Sequence, residues 1–239
     1  LGRGASARMR DKQFPVLFRD SRYAERLPIG VPSILETFDD ATLKRFYRDW
    51  YRPDLMAVIA VGDFDVSRVE ELILRHFAHL PAASDSRERV VYAVPDHSET
   101  LVAVATDPEA TGSSVAVYYK QPLREVETVG AYRQSIVEAL YNNMLNTRFF
   151  EITQMPDAPF LGARWGQGRF VRSNEVYFLG AGVRDGGAIE GLDGVLTEAA
   201  RVARFGFTQS ELLRAKRNLL RTVELAYAER EKTPSNRYA

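Results

Sequence analysis

The sequence has 239 residues, of which 45% are apolar and 27% charged, and the charged residues divide into 32 basic and 32 acidic ones. That balance is typical of an ordinary globular protein with one large domain or two domains of average size. The zero net charge gives no field to attract nucleic acid or an anionic membrane surface. No run of about 18 apolar residues and no apolar leader is visible, and without cysteine the chain can form neither disulfides nor thiolate metal sites. Because the first residue is not Met, we expect a piece of something longer.

Three helices and one strand are predicted in the first third. Residues 5–19 are compatible with a helix that Pro15 should end or kink. Residues 40–51 follow with apolar side chains at helical spacing and an Asp as candidate N-cap, and residues 67–77 form a similar pattern. Between them, residues 55–61 are wholly apolar, which is typical of a strand buried on both faces.

The polar stretch 81–95 is the best candidate for a linker between domains. After it, strands are predicted at 101–106 and 115–120 in a hairpin whose loop, residues 107–112, is rich in turn formers. A long helix is predicted at 130–153. Its apolar stripe consists of Ile136, Leu140, Met144, Leu145, Phe149 and Ile152.

Two more strands are predicted at 164–170 and 176–181, and two more helices at 187–205 and 209–231. Strands and helices therefore occur in separate runs. This order favours an α+β fold, a two-layer sandwich with helices packed on one face of a largely antiparallel sheet.

Short motifs are spread over nearly the whole chain. The first group consists of Ser21-Arg22-Tyr23-Ala24-Glu25-Arg26-Leu27-Pro28-Ile29-Gly30, Phe46-Tyr47, Tyr51-Arg52-Pro53-Asp54 and Val61-Gly62-Asp63-Phe64-Asp65. The second consists of Asp107-Pro108-Glu109, Leu145-Asn146-Thr147-Arg148, Ala158-Pro159-Phe160 and Gly206-Phe207-Thr208-Gln209-Ser210-Glu211-Leu212. In order and spacing they resemble the pitrilysin/insulinase family of zinc metallopeptidases (inverzincins).

The resemblance implies an architecture. Members of this family are similar in having four homologous α+β domains, arranged in two halves that close around an unfolded peptide. By resemblance, residues 1–81 are the C-terminal portion of the first, zinc-site domain and 82–95 are the linker. Residues 96–239 are the second homologous domain, truncated at its C-terminus, and the helix at 211–231 is its counterpart of the helix that carries a zinc ligand in the first.

The resemblance also implies zinc in the parent protein, bound by a His-x-x-Glu-His motif and a more distant Glu, with the Glu of the motif activating the attacking water. None of these residues is in the chain. We expect the motif far upstream and the distant Glu a few residues before Leu1. The prediction for the chain itself is no catalytic, cofactor-binding or metal-binding residue.

Residue patterns offer other sites only weakly. His76 and His79 are spaced to share a metal, but no third ligand is evident, and helix packing and capping explain both; His97 is expected to be solvated. The glycines at 180, 182 and 186 have the wrong spacing for a dinucleotide loop, which leaves a strand-to-helix turn, and those at 166 and 168 indicate a flexible or bulged strand.

Several other groups have simpler interpretations. The serines lack a Gly-x-Ser-x-Gly elbow and a nearby base. The aromatic cluster at 46–51 is expected in a core. The basic side chains of the last two helices are interleaved with acidic ones, which favours a solvated face: Arg201, Arg204, Arg214, Lys216, Arg217 and Arg221.

Two functions stay open. The first is a piece of a zinc endopeptidase that degrades or processes unfolded peptides in a closed chamber, to which this chain contributes wall and scaffold. The alternative is a non-catalytic, structural or substrate-holding member of the same fold. Expected partners are a peptide substrate and the missing domains, with neither nucleic acid nor membrane. The compartment is unknown, and only the resemblance points to the bacterial cell envelope or periplasm.

An uncovered apolar strand is a template for aggregation. We therefore expect residues 55–61 to pair with the second-domain sheet, either within the chain or by exchange with another copy in a homo-oligomer.

Overall fold

The structure, a computed structural model, describes residues 4–81, 87–124, 127–234 and 237. It divides into two compact units, one formed by Leu1–Leu27 with Val91–Tyr227 and the other by Pro28–Val90 with Ala228–Ala239. These units are defined by packing, whereas the predicted domains are defined by homology between two parts of the sequence. The two compact units therefore do not test the domain boundary predicted at 82–95, which stays a prediction.

A three-stranded antiparallel sheet organises the first unit. Its strands are β1 (Ser113–Pro122), β2 (Gly162–Val171) and β3 (Asn174–Val183), in the order β1-β3-β2. Strands β2 and β3 form a tight hairpin, and β1 pairs with the other edge of β3. The alternation of side chains along β3 directs Leu179, Ala181 and Val183 into the core.

Helices α5 (Val129–Thr153) and α6 (Ala188–Phe205) pack on this sheet, and α7 (Gln209–Ala228) follows α6. The remaining helix of the unit is α1 (Ala5–Leu17). The core between sheet and helices consists of Leu145, Phe149, Phe160, Trp165, Leu179, Ala181, Val183, Val195 and Val202. Burial of a side chain as large as Phe149 or Leu179 contributes about 1.5–3 kcal/mol, so this cluster dominates the stability of the unit. The predicted α+β fold is confirmed.

The second unit contains α2 (Pro32–Thr37), α3 (Asp40–Trp50) and α4 (Val66–Phe77). Asp39 and Asp65 cap α3 and α4 by accepting hydrogen bonds from the amides of Thr42 and Arg68. None of the apolar side chains described between residues 28 and 90 is buried. The apolar side chains of α2 are exposed, whereas Val69, Leu72 and Ile73 on α4 are half-buried.

Two predicted strands are wrong. Residues 55–61 and 101–106 belong to no strand, so the predicted hairpin is also absent, and among the described strands the sheet is completed without either segment. The apolar pattern gives a segment strand propensity, but a ladder forms only with a second strand in register. Within-chain pairing of 55–61 is therefore wrong as well.

Three further expectations need correction. Pro15 does not end α1, which continues to Leu17, because the proline removes only its own amide donor and the amide of Phe18 still donates to the carbonyl oxygen of Phe14. The aromatic cluster at 46–51 is not in a core, since Phe46, Tyr47 and Tyr51 are all more than half exposed. Helix α2 lies between the predicted helices at 5–19 and 40–51, where no helix was predicted.

The other helices match their predicted bounds closely. Helices α3 to α6 begin and end within one residue of the prediction, and α7 ends at Ala228 instead of 231. Across the part of the chain that the structure describes, no helix is long and apolar enough to cross a membrane.

Candidate functional site

The histidines offered a weak alternative metal site in the sequence. His76 and His79 lie exposed at the end of α4, and Nδ1 of His97 lies 2.7 Å from the carbonyl oxygen of Glu99. In the described ranges no three His, Asp or Glu side chains are placed to hold a metal ion, so the described residues do not form a zinc centre. The expectation that the zinc ligands lie outside the chain stays a prediction.

The glycine-rich segment after β2 also lacks the form of a phosphate loop. Gly180 and Gly182 are paired inside β3, where they lie opposite β1 and β2, and only Gly186 adopts a positive φ of 80° in the turn before α6. The sheet is antiparallel, which excludes a βαβ nucleotide fold for these strands. The strand irregularity expected near 166–168 lies instead between Arg169 and Val171.

The most highly organised polar site of the described residues surrounds Arg148 on α5. Its Nε donates to Oε1 of Glu211 at 2.5 Å and its Nη2 to Oε2 at 2.9 Å, while Nη1 donates to Oε1 of Glu198 at 2.8 Å. Nη2 also reaches the carbonyl oxygen of Gly206 at 3.2 Å, and the guanidinium lies over the ring of Phe207 at 4.9 Å. One side chain thus connects α5, α6, the loop after α6 and the start of α7.

Burial makes these ion pairs strong. The side chain of Arg148 is 15% exposed and that of Glu198 only 6%. The hydrogen bond from Arg148 lowers the pKa of Glu211 to about 2, and the hydrogen bond to Glu211 raises the pKa of Arg148. Both groups are therefore charged at every physiological pH, and neither is poised for proton transfer.

The start of α7 is a capping box. The amide of Thr208 donates to Oε2 of Glu211 at 2.6 Å, and the amide of Glu211 donates to Oγ1 of Thr208 at 3.3 Å. Helix α6 ends just before, at Phe205, and is followed by Gly206, whose φ of 69° suits glycine. The motif Gly206 to Leu212 therefore builds a helix end, a helix start and an arginine site in seven residues.

Asn146 gives a second role to the motif that contains Arg148. Its side-chain amide donates to the carbonyl oxygen of Trp165 at 3.0 Å and its Oδ1 accepts from the amide of the same residue at 2.8 Å. This pair of hydrogen bonds imitates a neighbouring strand at the outer edge of β2. Since Leu145 is fully buried in the core, consecutive residues of the motif serve packing, edge pairing and the ion-pair cluster.

An open cleft of about 670 Å³ lies between the loop before β2 and the first turns of α6. Asp157, Glu190 and Asp193 make it acidic, and Arg184 at its rim donates to the carbonyl oxygen of Ala158 at 3.2 Å. Asp157, Glu190 and Asp193 are exposed, and the fourth acidic group of the lining, Glu198, is paired with Arg148.

Sequence reasoning named Arg148 and Glu211 only as parts of motifs. The Thr-x-x-Glu pattern at 208–211 was a recognisable signal for a capping box. The pairing with Arg148 had no local signal, because 63 residues separate the partners.

The chain is similar in sequence to proteins named as zinc proteases. The sequence family described as "Peptidase M16 inactive domain" matches residues 37–155. The "Zinc protease PQQL-like" of Arabidopsis thaliana is 32% identical over 98% of this chain, which corresponds to 22% of the length of that protein. The "Probable zinc protease PqqL" of Escherichia coli is 26% identical over 83% of the chain and 21% of its own length.

The fold is shared with a solved structure, the first half of the periplasmic protease PqqL from Escherichia coli. The two superpose with a TM-score of 0.81 and 23% identity over 97% of this chain and 50% of that one. The chain thus spans about a fifth of the length of the curated relatives that it matches. Sequence and fold agree, and this chain belongs to the pitrilysin/insulinase family of zinc peptidases, the M16 peptidases.

Proposed function

We propose that this chain is a non-catalytic part of a zinc-dependent endopeptidase that degrades or processes unfolded peptides in a closed chamber. The observation that carries the proposal is the 32% identity with a plant zinc protease over 98% of the chain. That match covers only 22% of the relative. The proposal assigns the catalytic residues to other parts of the parent protein.

The proposed role of the chain is to form chamber wall and scaffold. Residues 1–81 close the zinc-site domain, 82–95 link the domains, and 96–239 belong to the second homologous domain. The ion-pair cluster of Arg148 supports this role, since its charged groups are saturated by one another and hold three helices together. The zinc ligands are expected upstream of Leu1, with none in the chain.

Zinc content and peptide cleavage test the proposal together. The purified 239-residue chain is dialysed against a chelator and then exposed to one equivalent of Zn²⁺. It should retain much less than one zinc per chain, because a catalytic zinc needs three protein ligands. It should also leave a fluorescence-quenched unfolded peptide intact. The longer parent that contains it should retain zinc and cleave the same peptide. About one tightly bound zinc per isolated chain would contradict the proposal and direct attention to His76 and His79.

A second candidate is a parent that holds peptides or supports a complex without ever binding zinc. The observation that favours it is the match to a sequence family whose description contains "inactive domain". A parent that binds an unfolded peptide but neither retains zinc nor cleaves the peptide would establish this alternative.

The proposed partners are an unfolded peptide and the remaining domains of the parent. The proposed compartment is the bacterial cell envelope, supported by the periplasmic location stated for the protease PqqL of Escherichia coli. We also propose that the isolated chain self-associates by exchanging the segment 55–61, which is apolar and has no strand partner among the described residues.

A further inference from the structure

Helix α1 and the segment that follows it are joined to residues 91–110 by a series of polar contacts. Although 63 residues intervene, Leu1–Leu27 and Val91–Tyr227 form one compact unit. Lys12 Nζ donates to the carbonyl oxygen of Thr106 at 3.2 Å, and Arg19 pairs with Glu99 at 2.7 Å. Arg8 pairs with Asp107 and Glu109. Ser21 Oγ donates to the carbonyl oxygen of Ala93 at 2.8 Å.

The pair of Arg8 and Asp107 has the strongest geometry in this series. Nε donates to Oδ2 at 2.6 Å and Nη2 to Oδ1 at 2.7 Å, which is the bidentate arrangement of two parallel bonds. Nη2 also donates to Oε2 of Glu109 at 2.5 Å. The Asp107 side chain is only 6% exposed, so its carboxylate is held in a protected position.

The carboxylate of Asp107, which accepts the bonds from Arg8, is also held by hydrogen bonds within its own turn. The amide of Glu109 donates to Oδ1 of Asp107 at 3.1 Å, and the amide of Ala110 donates to the carbonyl oxygen of Asp107 at 3.0 Å. These bonds define a tight turn around Pro108, a residue that favours turns because its φ is preset. The turn therefore presents a pre-oriented carboxylate to α1.

The C-terminal end of α1 is held by different chemistry. Lys120 of β1 donates to the carbonyl oxygen of Leu17 at 3.1 Å, and the buried ring of Phe18 stacks on Phe170 of β2 at 4.8 Å. Helix α1 is thus attached at both ends to the part of the first unit formed by Val91–Tyr227, here called the sheet unit. Ion pairs hold it near its start, and an aromatic stack holds it after its end.

We propose that Arg8 and Asp107 are positioning residues that strap α1 onto the sheet unit, so that α1 moves with this unit. The strap goes beyond the proposed function and does not depend on it. One consequence does rest on the proposed function: if the distant zinc glutamate lies shortly before Leu1, the strap sets the orientation in which that segment enters the sheet unit.

Amide hydrogen exchange of the 239-residue chain tests the strap without zinc or substrate, so the result is independent of the proposed function. Asp107→Asn keeps Oδ1 as an acceptor for the turn but removes the charge. We expect exchange of α1 amides to accelerate about tenfold or more, in keeping with the strength of hydrogen bonds to charged groups, while α5 and α6 keep their protection. The matched control is Arg19→Gln, which loses only its exposed pairs with Glu99 and Asp20 and should change α1 exchange less than about twofold.

A charge exchange distinguishes pairing from a general loss of stability. Arg8→Asp alone should accelerate α1 exchange, and adding Asp107→Arg should recover part of the protection. Three results would each overturn the proposal: α1 amides unprotected in the unaltered chain, α1 exchange unchanged in Asp107→Asn, or equal acceleration of α1 and α5.

Discussion

Arg148 in the middle of α5 and Glu211 in the first turn of α7 form a bidentate ion pair across 63 residues of sequence. The same carboxylate accepts from the amide of Thr208, so it caps α7 while it binds the guanidinium. Glu198 of α6 binds the third nitrogen of Arg148. The relative placement of three helices consequently depends on one arginine.

Removing that arginine should be costly. Arg148→Ala leaves the buried carboxylate of Glu198 and the capping carboxylate of Glu211 without their cation, and loss of one partner of a buried ion pair costs about 3–5 kcal/mol. We expect a decrease of about 2–4 kcal/mol in the free energy of unfolding, measured by urea denaturation, because the cluster is not fully buried. The control is Arg214→Ala, whose pair with Glu151 is half exposed and should contribute no more than about 1 kcal/mol. If Arg148→Ala and Arg214→Ala lowered the free energy of unfolding equally, the inference that Arg148 holds the three helices together would be contradicted.

The same site predicts a pH dependence. The pKa of Glu211 is about 2 in the folded chain against an ordinary value of 4.5, so between these pH values the unfolded state binds more protons. The stabilisation from this group is therefore complete above about pH 4.5 and is lost as the pH falls towards 2. Glu211→Gln keeps an acceptor for the capping box, and its unfolding free energy should lie about 1.5–3 kcal/mol below that of the unaltered chain at pH 6. The difference should shrink steadily in denaturation series from pH 5 to pH 2, and a constant difference would show that the charge is not responsible.

The features that the sequence predicted share one property, which is that their signal is local. Helix α5 was predictable because its apolar residues repeat at helical spacing, and α4 because Asp65 precedes such a repeat. Residues 55–61 carried an equally clear strand signal, but a strand also needs a partner whose presence no local pattern reveals. The contact of Arg148 with Glu211 could not be predicted from the sequence for the same reason, since only the packing of α5 against its neighbours brings the two residues together.

Adjacent phenylalanines on α5 provide a test of the core. Phe149 is fully buried and meets Phe160 edge to face at 6.0 Å, whereas Phe150 is 64% exposed. Phe149→Ala should lower the unfolding free energy by about 3–5 kcal/mol, because it leaves a cavity under the sheet. Phe150→Ala changes the same residue type one position later and should cost less than about 1 kcal/mol. Thermal and urea denaturation of the two variants measure the difference, and similar losses would place the core elsewhere.

Glu224 tests the proposed correspondence between α7 and the zinc-binding helix of the first domain. It is exposed on α7, and no described group near it could complete a metal site. If the parent has the proposed zinc-dependent activity, Glu224→Gln should leave its kcat/KM within about twofold, as expected for a residue that does not contact the transition state. A loss of several orders of magnitude, comparable to the removal of a catalytic group, would show that this copy of the helix takes part in catalysis.

The segment 55–61 should make the isolated chain associate. Ile59 is 82% exposed and Val61 is 79% exposed. A long, uncovered apolar segment pairs readily with another chain, and the zero net charge offers no repulsion against that encounter. Each such side chain buried between copies contributes about 1.5–3 kcal/mol.

Ile59→Lys should therefore shift the chain towards monomer, because a charge on an exposed strand opposes edge pairing. The measurement is size-exclusion chromatography with light scattering over a concentration series from about 1 to 100 µM. The unaltered chain should form oligomers within this series. The protein concentration at half-association should be at least tenfold higher for the variant, as expected from the loss of about 1.5–3 kcal/mol of burial. Ile189→Lys is the matched control, since it places the same charge at a side chain that is 76% exposed but lies on α6. Association through 55–61 predicts that only Ile59→Lys has this effect. An unaltered chain that stays monomeric throughout the series, or equal shifts for the two variants, would refute strand exchange, because the association would then be absent or would depend on exposed apolar surface in general.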